Sequence, residues 1–325
     1  MAKIENGERA KRNRTLVLTE DEIKLYRQNL IRLEIPATEK EILNRIIRQN
    51  TFEVLPLLPE QSFDLLFADP PYNLTKKFGE NSFRQTSVEE YETWLDSWLS
   101  QILRLLKPTA SIYICGDWRS ASAIQRAGMR YFRLRNRITW EREKGRGALK
   151  NWKNASEDVW FFTVSDDYVF NAETVKIKRK VLAPYRENGA PKDWEKSDDG
   201  NFRLTSASNL WTDLTVPFWS MLENTTHPTQ KPEKLLAKII LASTNENDSI
   251  LDPFAGSGTT AVVARKLNRN FTAIERDVNY CLLAEKRLEL AENDKTIQGF
   301  SDGVFWERNA QTVKKEKKLS TDEHG

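Results

Sequence analysis

Apolar and polar positions follow two periods along the chain, and the two periods predict strands and helices in turn. Short apolar runs predict strands at 63–68, 111–115, 132–140, 159–164, 167–171, 249–251 and 270–274. Stretches with apolar residues three and four positions apart predict helices at 20–32, 39–48, 88–106, 233–243 and 261–267. Strands and helices that alternate in this way indicate an α/β domain.

The strand predicted at 63–68 ends in the tetrapeptide Asp69-Pro70-Pro71-Tyr72. Each proline fixes its own φ angle and restricts the residue before it, so this corner should have one stiff shape. Asp69 and a proline carbonyl can accept the two protons of an amino group, and Tyr72 offers a ring for stacking. An ordinary turn at the end of a strand would show the same four residues, so the tetrapeptide alone leaves both interpretations open.

A glycine-rich turn joins the strand predicted at 249–251 to the helix predicted at 261–267. The turn contains the candidate ligand-binding residues Phe254, Gly256, Ser257, Gly258 and Thr259. Backbone N–H groups at a helix start bind carboxylates or phosphates, and glycines let a ligand approach closely.

An acidic residue, Glu275, follows Gly256 by 19 positions, and such a residue can hold ribose hydroxyls. The third glycine of a dinucleotide fingerprint and the Gly-Lys-Ser/Thr ending of a P-loop are both missing, which weakens the nicotinamide and nucleoside-triphosphate interpretations. The turn alone leaves a purely structural role or another nucleotide open.

Together and in this order, the two motifs resemble those of the β group of DNA amino-methyltransferases. A segment between them, Thr226-His227-Pro228-Thr229-Gln230-Lys231-Pro232, resembles the element that precedes the cofactor loop in this family. The resemblance covers roughly residues 50–290. The Asp at the head of the tetrapeptide is more similar to the adenine-N6 enzymes, among them the type II restriction-modification methyltransferases, than to the cytosine-N4 enzymes.

The resemblance implies a Rossmann-like fold that uses S-adenosylmethionine, with a twisted, mostly parallel sheet and helices on both faces. It implies methyl transfer to the N6 amine of adenine in DNA, with base flipping, in a restriction-modification or related bacterial or phage system. The tetrapeptide would be catalytic. The residues that would bind the cofactor are Phe254, Gly256, Ser257, Gly258, Thr259, Glu275, Thr229, Gln230, Lys231 and Asn50. Asn50 serves equally well as the cap of a following helical turn.

The predicted domain organisation has three parts. Residues 1–48 form a basic N-terminal arm with a helical extension, 49–292 form the catalytic domain, and 293–325 form a C-terminal tail. Regular periodicity disappears at 174–217, where basic residues outnumber acidic ones. This segment is the predicted target-recognition region, and a decorative solvated insertion is the alternative.

Local clusters of basic residues must supply any DNA surface, because 50 Lys and Arg against 47 Asp and Glu leave a net charge of only +3. Residues 130–153 carry nine basic and two acidic side chains. This cluster suits phosphate binding, with a solvated strand face as the alternative. Lys144, Arg146 and Lys150 are candidates for contact with DNA, and the family resemblance places Trp140 at the wall of the target-base pocket.

The remaining composition limits the other classes of function. Two Cys and two His residues cannot build a spaced zinc site, so the sequence predicts no metal. The start shows no signal peptide and no run of about 18 apolar residues occurs, which predicts a soluble, cytoplasmic protein with no membrane partner. DNA is the predicted partner, and the family resemblance adds a homodimer and a restriction endonuclease acting on the same site as candidates.

Three alternative functions stay open at the level of the sequence. Cytosine-N4 methylation would use the same Asp69 corner. A methyltransferase acting on RNA or on a free amine would keep the glycine turn but should not need the basic cluster for duplex DNA. A noncatalytic DNA-binding module would keep the fold without the reaction.

Overall fold

The computed structural model describes residues 12–78, 81–142, 150–181, 185–188, 190–197 and 200–308. Its α-helices are α1 Glu20–Asn29, α2 Glu39–Ile42, α3 Thr51–Val54, α4 Val88–Ile102, α5 Ala121–Met129, α6 Glu233–Ser243, α7 Thr259–Lys266 and α8 Val278–Asn293. Short 3-10 helices cover Leu55–Leu57, Leu103–Leu105 and Ala172–Val175.

The strands are numbered in chain order. The first eight are β1 Arg45–Arg48, β2 Phe63–Ala68, β3 Lys76–Phe78, β4 Asn81–Phe83, β5 Leu106–Gly116, β6 Arg133–Glu141, β7 Ser156–Thr163 and β8 Ile177–Lys180. The others are β9 Arg186–Glu187, β10 Ala190–Pro191, β11 Glu195–Ser197, β12 Gly200–Thr205, β13 Leu210–Trp211, β14 Ser249–Asp252, β15 Asn270–Glu275, β16 Phe300–Ser301 and β17 Val304–Trp306.

The central sheet has eight strands in the order β1-β15-β14-β2-β5-β7-β6-β13. Strand β7 is antiparallel to both of its neighbours, and every other pairing in this sheet is parallel. The predicted mostly parallel sheet is therefore confirmed. Because β7 runs in reverse, its first residues lie at the edge where β2, β5, β14 and β15 end.

Helices cover both faces of this sheet, as predicted. Alternate residues of a strand point to opposite faces, and in β2 Leu65 and Phe67 join the buried cluster that includes residues of α6, α7 and α8. Leu66 and Ala68 join a second cluster that includes residues of α4 and α5. Burial on both faces explains why β2 is apolar without interruption from Leu65 to Ala68, directly before Asp69.

Two of the predicted elements at the edges of the fold are wrong. Residues 45–48 form β1 and not the end of a helix, because Asn44 adopts a φ of 58° after α2 and the buried Ile46 and Ile47 belong to opposite clusters. Strand β1 pairs with β15, so the predicted N-terminal extension supplies a strand of the central sheet. The strand predicted at 167–171 is absent.

A second sheet is built from the predicted recognition region and the end of the described chain. Its order is β11-β12-β8-β17-β16. Strand β17 pairs in parallel with β8, so the part of the predicted C-terminal tail up to Arg308 is folded onto the region 174–217. The short hairpins β3–β4 and β9–β10 form separate pairs. None of the helices described is both long and apolar enough to cross a membrane.

Candidate active site

A cleft of about 350 Å³ opens where β2, β14 and β15 end and β7 begins. Ligands of open α/β sheets bind at this edge, and the volume falls within the range of small-molecule sites. The cleft brings together thirteen residues predicted for the site: Asn50, Asp69, Pro70, Pro71, Tyr72, Thr229, Gln230, Lys231, Phe254, Gly256, Ser257, Thr259 and Glu275. The two motifs therefore meet in one place.

The Asp69 corner is fixed by hydrogen bonds from both sides. The Tyr91 hydroxyl of α4 donates to the Pro71 carbonyl at 2.9 Å. The Asn73 amide group donates to the Thr86 carbonyl at 2.9 Å and accepts the Thr86 N–H at 2.8 Å. The chain therefore leaves β2 in a rigid turn whose side chains face the cleft.

Lys231 forms an ion pair with Asp69 inside this cleft. The Lys231 ammonium donates to Asp69 Oδ2 at 2.6 Å and lies 3.6 Å from Glu157 Oε2. The second oxygen of Asp69, Oδ1, is buried and accepts no hydrogen bond from the described residues. A buried acceptor without a partner is costly in a folded protein, so Asp69 Oδ1 is suited to accept a hydrogen bond from a ligand.

Tyr72 lies against the same charges. Its hydroxyl donates to Glu157 Oε2 at 3.2 Å, and the Lys231 ammonium lies 5.4 Å from the centre of its ring. Burial, together with the carboxylates of Asp69 and Glu157, raises the pKa of Tyr72, which keeps the phenol neutral. Burial lowers the pKa of Lys231, but the two carboxylates outweigh it and the net shift is upward, so the ammonium stays charged.

Glu157 is a site residue that the sequence analysis missed. It begins the reversed strand β7, which places it at the carboxyl edge opposite Asp69, and Arg142 pairs with its other oxygen Oε1. The side chain is only 8% exposed. The acidic pair Glu157-Asp158 directly before the apolar run at 159–164 was the available signal, but only the strand order shows that Glu157 shares the cleft with Asp69.

The glycine turn is shaped by two left-handed residues with different roles. Gly256 has a φ of 53°, and a Cβ atom there would lie 2.8 Å from His227 Nε2. Gly258 has a φ of 74°, and a Cβ there would lie 2.5 Å from the Cβ of Ala284 in α8. Gly256 lines the cleft whereas Gly258 does not, so the structure places Gly258 in helix packing and not in the predicted binding role.

A buried arginine that the sequence analysis also missed holds the turn from behind. Arg287 of α8 donates to the Ser257 carbonyl at 2.9 Å and to the Thr259 hydroxyl at 3.0 Å. Both of these hydrogen bonds come from Nη1, and Nη2 of the same guanidinium donates to Glu233 Oε1 at 3.0 Å. These bonds fix the turn and leave the cleft side of Gly256 open.

Glu275 lies at the end of β15, beside the turn. Its carboxylate accepts the Gly256 N–H at 2.9 Å and the Asp277 N–H at 2.7 Å. Burial raises the pKa of Glu275 to about 7, although these two hydrogen bonds act in the opposite direction. The carboxylate therefore lies within reach of any ligand held by the turn.

The remaining predicted binding residues have visible structural roles. Asn50 caps α3 by accepting the Phe52 N–H at 3.1 Å. The Gln230 amide accepts from Thr225 and donates to the Glu223 carbonyl at 2.6 Å, so it shapes the segment before α6. The Thr229 N–H donates to His227 Nδ1 at 3.4 Å. All three predicted residues still line the cleft.

Of the four residues predicted to contact DNA, the structure describes Trp140 and Lys150. Trp140 is 1% exposed and packs in the core with the Arg142 guanidinium over its ring, so it does not wall the cleft. Lys150 is exposed. Lys144 and Arg146 lie outside the residues that the structure describes.

The basic cluster at 130–153 is also partly neutralised by carboxylates distant in sequence. Ion pairs join Arg130 to Glu92 and Asp96, Arg133 and Arg135 to Asp166, Arg137 to Asp158 and Arg142 to Glu157. The net charge counted along the segment therefore overstates the positive charge that this surface presents.

Comparison with known proteins gives consistent matches. A family model described as DNA methylase matches residues 63–286. Type II methyltransferase M.HpaI of Haemophilus parainfluenzae is 34% identical over 251 residues, 75% of this chain and 74% of the relative. DNA adenine methyltransferase YhdJ of Escherichia coli is 33% identical over 257 residues, covering 76% and 83%. Type II methyltransferase M2.DpnII of Streptococcus pneumoniae is 34% identical over 268 residues, covering 77% and 90%.

Solved structures agree on the fold. The M1.HpyAVI–SAM complex has a TM-score of 0.51 and 26% sequence identity, and it covers 75% of this chain and 98% of its own. The cytosine-N4-specific PvuII DNA methyltransferase has a TM-score of 0.54 and 19% identity, covering 77% and 91%. The second similarity concerns the fold alone.

Proposed function

The chain belongs to the DNA methylase family, and on that premise we propose that it transfers a methyl group from S-adenosylmethionine to the N6 amine of adenine in DNA. The family membership confirms the resemblance drawn from the two motifs. Support for adenine comes from the relative named a DNA adenine methyltransferase, YhdJ, at 33% identity. The observation that carries the proposal is the buried, unpaired Asp69 Oδ1 in the same cleft as Gly256 and Glu275.

The cleft fits S-adenosylmethionine on the features of its own residues. Gly256 lets the turn pass close to His227, because a Cβ atom at this position would lie 2.8 Å from His227 Nε2, and both residues line the cleft. Glu275 presents a carboxylate that can accept hydrogen bonds from the two ribose hydroxyls, and Phe254, Ser257 and Thr259 line the same part of the cleft. The structural relative M1.HpyAVI is known as a complex with this cofactor, which supports the same cofactor here.

The target amine would be oriented by acceptors at the Asp69 corner. Asp69 Oδ1 accepts one amino proton, and the Pro70 carbonyl accepts the other. Lys231 occupies Oδ2, so Oδ1 is the Asp69 oxygen without a hydrogen-bond partner among the described residues and is the proposed acceptor. Bound S-adenosylmethionine supplies a methyl group on a positively charged sulfur, and fixed orientation of the amine toward it lowers the barrier to attack.

Asp69 acts through orientation and charge in this mechanism. A carboxylate is a weak base for a neutral aromatic amine, so the proton leaves only after the nitrogen has become cationic. At that stage the negative charge of Asp69 stabilises the developing positive charge. Lys231 holds the Asp69 carboxylate in place, and the charges of Asp69 and Glu157 keep Lys231 protonated.

The target base would have to leave the DNA stack to reach this site. The Asp69 side chain is 17% exposed at the inside of the cleft, and a base within a duplex cannot approach it. The Tyr72 ring would stack on the extruded adenine. Its hydroxyl is bonded to Glu157, which fixes the plane of the ring.

The second sheet is the proposed target-recognition region. It joins β8, β11 and β12 of the segment 174–217 to β16 and β17. We also propose the remaining partners and place of action: a homodimer, a restriction endonuclease that cleaves the same site, and the bacterial cytoplasm. The relatives named type II methyltransferases support the endonuclease.

Mass analysis of nucleosides tests the proposed reaction. DNA is incubated with the protein and S-adenosylmethionine, digested, and examined for methylated nucleosides. We expect N6-methyladenine. Detection of N4-methylcytosine would show that the substrate base is cytosine. Methylation of RNA alone would show that the substrate is RNA. The absence of any methylated product would indicate a noncatalytic DNA-binding protein.

A further inference from the structure

Trp152 is the most exposed large apolar side chain among the described residues, with 93% of its surface accessible. Tryptophan is highly buried on average in folded proteins, so an indole that extends into solvent calls for an explanation. Exposed lysines, Lys150 and Lys153, stand on either side of it in the chain. The combination of an aromatic ring with adjacent positive charge is typical of surfaces that bind nucleic acid.

The position of Trp152 relates it to the catalytic cleft. Asn154, two residues further on, lines the cleft, and two residues span at most about 7 Å. The end of this segment is anchored, because the Arg142 N–H donates to the Ala155 carbonyl at 2.7 Å. Arg142 in turn pairs with Glu157, which contacts Lys231 and Tyr72. Trp152 therefore extends from the rim of the site.

A flipped base leaves a gap in the duplex, and the gap carries an energetic cost. Asp69 lies inside the cleft, so the target base must leave the stack. Unstacking costs a few kcal/mol per step, and proteins offset it by inserting apolar side chains between base pairs. An indole at the cleft rim can stack on the bases beside the gap, while Lys150 and Lys153 contact neighbouring phosphates.

We propose that Trp152 stacks in the duplex at the position vacated by the target base and thereby stabilises the flipped state. This inference rests on the proposed function, because it requires a DNA base as the substrate. The partner is duplex DNA, and the role is specific to duplexes. A single strand has no gap to fill.

The test compares Trp152→Ala, Trp152→Phe and the wild type on three DNA substrates. The substrates contain a site mapped by sequencing DNA from cells that express the chain: a single strand, a matched duplex, and a duplex with an abasic position opposite the target adenine. Trp219→Ala serves as the matched control, because Trp219 is 50% exposed and does not line the cleft. Thermal unfolding checks that each variant is folded.

On the matched duplex, we expect Trp152→Ala to lower the methylation rate by roughly ten- to a hundredfold, the range of base–aromatic stacking. Trp152→Phe should recover most of that rate. The single strand should be methylated at the wild-type rate, and the abasic duplex should show a smaller loss, because its target base is already unpaired. Trp219→Ala should match the wild type on all three.

Three results would overturn the inference. Trp152→Ala could methylate the matched duplex at the wild-type rate, or lose the same factor on all three substrates, or behave no differently from Trp152→Phe. A wild-type protein that methylates none of the substrates would instead refute the proposed function, and this inference with it.

Discussion

The Lys231 ammonium donates to Asp69 Oδ2 at 2.6 Å, although 162 residues separate the two in the chain. Lys231 was predicted from the sequence to bind the cofactor, and in the structure its side chain contacts the carboxylate of Asp69, the residue proposed to orient the target amine. One lysine thus connects the segment before α6 to the Asp69 corner and, at 3.6 Å, to Glu157. The orientation of the Asp69 carboxylate therefore depends on the charged ammonium group of Lys231.

Lys231→Met should lower kcat by about a hundredfold, the range for loss of one preorganised electrostatic group. Cofactor affinity should change much less than kcat, because the Lys231 ammonium contacts the Asp69 carboxylate. Stability should also fall by about 3–5 kcal/mol, because the Asp69 carboxylate loses its ion-pair partner. Methylation rates at saturating cofactor, cofactor titrations and thermal unfolding measure these effects.

Lys238→Met is the control for a general effect of losing a buried lysine. Lys238 is 1% exposed and pairs with Asp213 at 2.8 Å, and it does not line the catalytic cleft. This variant should be destabilised without a loss of kcat. If Lys231→Met also keeps the kcat of the wild type, Lys231 has only a structural role.

Gly256→Ala should weaken cofactor binding by at least about tenfold. The new Cβ would lie 2.8 Å from His227 Nε2 and the residue has a φ of 53°, which costs a non-glycine residue about 1–3 kcal/mol. Gly303→Ala is matched to it, because Gly303 has a φ of 74° with nothing within 4 Å of the added Cβ. Calorimetric titration with S-adenosylmethionine should show a loss in the first variant and none in the second, and equal affinities would reject the cradle at Gly256.

Cofactor affinity should fall as the pH is lowered from 8 to 6. Burial raises the pKa of Glu275 to about 7, so the side chain becomes protonated within this window. Ribose hydroxyls bind better to the ionised carboxylate, so affinity decreases by up to about tenfold per pH unit below the pKa. Titrations at several pH values measure the slope.

Glu275→Gln should bind the cofactor more weakly at pH 8 and with a flatter dependence on pH. Glu285→Gln is the control, because burial also raises the pKa of Glu285 but this residue of α8 does not line the cleft. It should retain the wild-type slope. If the pH dependence of cofactor affinity is unchanged in Glu275→Gln, Glu275 does not bind the ribose.

The parts of the site that could be predicted from sequence are encoded locally. The apolar run at 63–68 followed by Asp69 and two prolines specifies a strand and a stiff corner. The two glycines after β14, Gly256 and Gly258, specify a turn at a helix start, and Glu275 follows at the end of the next strand. In parallel strands the carboxyl ends share one edge, which is why these motifs meet although they are distant in sequence.

The parts that could not be predicted depend on strand order and packing. Glu157 lies in the same cleft as Asp69 only because β7 is antiparallel to both β5 and β6. Arg287 and Gly258 are explained by the packing of α8 behind the glycine turn. The pairing of β17 with β8 joins segments more than 120 residues apart. No local pattern carries this information.

Charge counts along the chain overstate the positive charge of the surface for the same physical reason. The segment 130–153 is strongly basic by sequence, but its carboxylate partners come from α4, from β7 and from the turn after it. Trp140 lies on β6 with its ring buried in the core, whereas Arg142, just beyond the end of this strand, lines the cleft. A surface therefore has to be judged from neighbours in space.

Measuring methyl transfer by Asp69→Ala at saturating cofactor is the most direct test of whether Asp69 orients the target amine. Tritium from labelled S-adenosylmethionine is counted in DNA, and cofactor affinity is measured on the same preparation. The account predicts that transfer to DNA is abolished while affinity stays close to that of the wild type, because Asp69 holds the target amine and Gly256 and Glu275 hold the cofactor. Transfer at the wild-type rate by a variant that lacks the Asp69 carboxylate would contradict it.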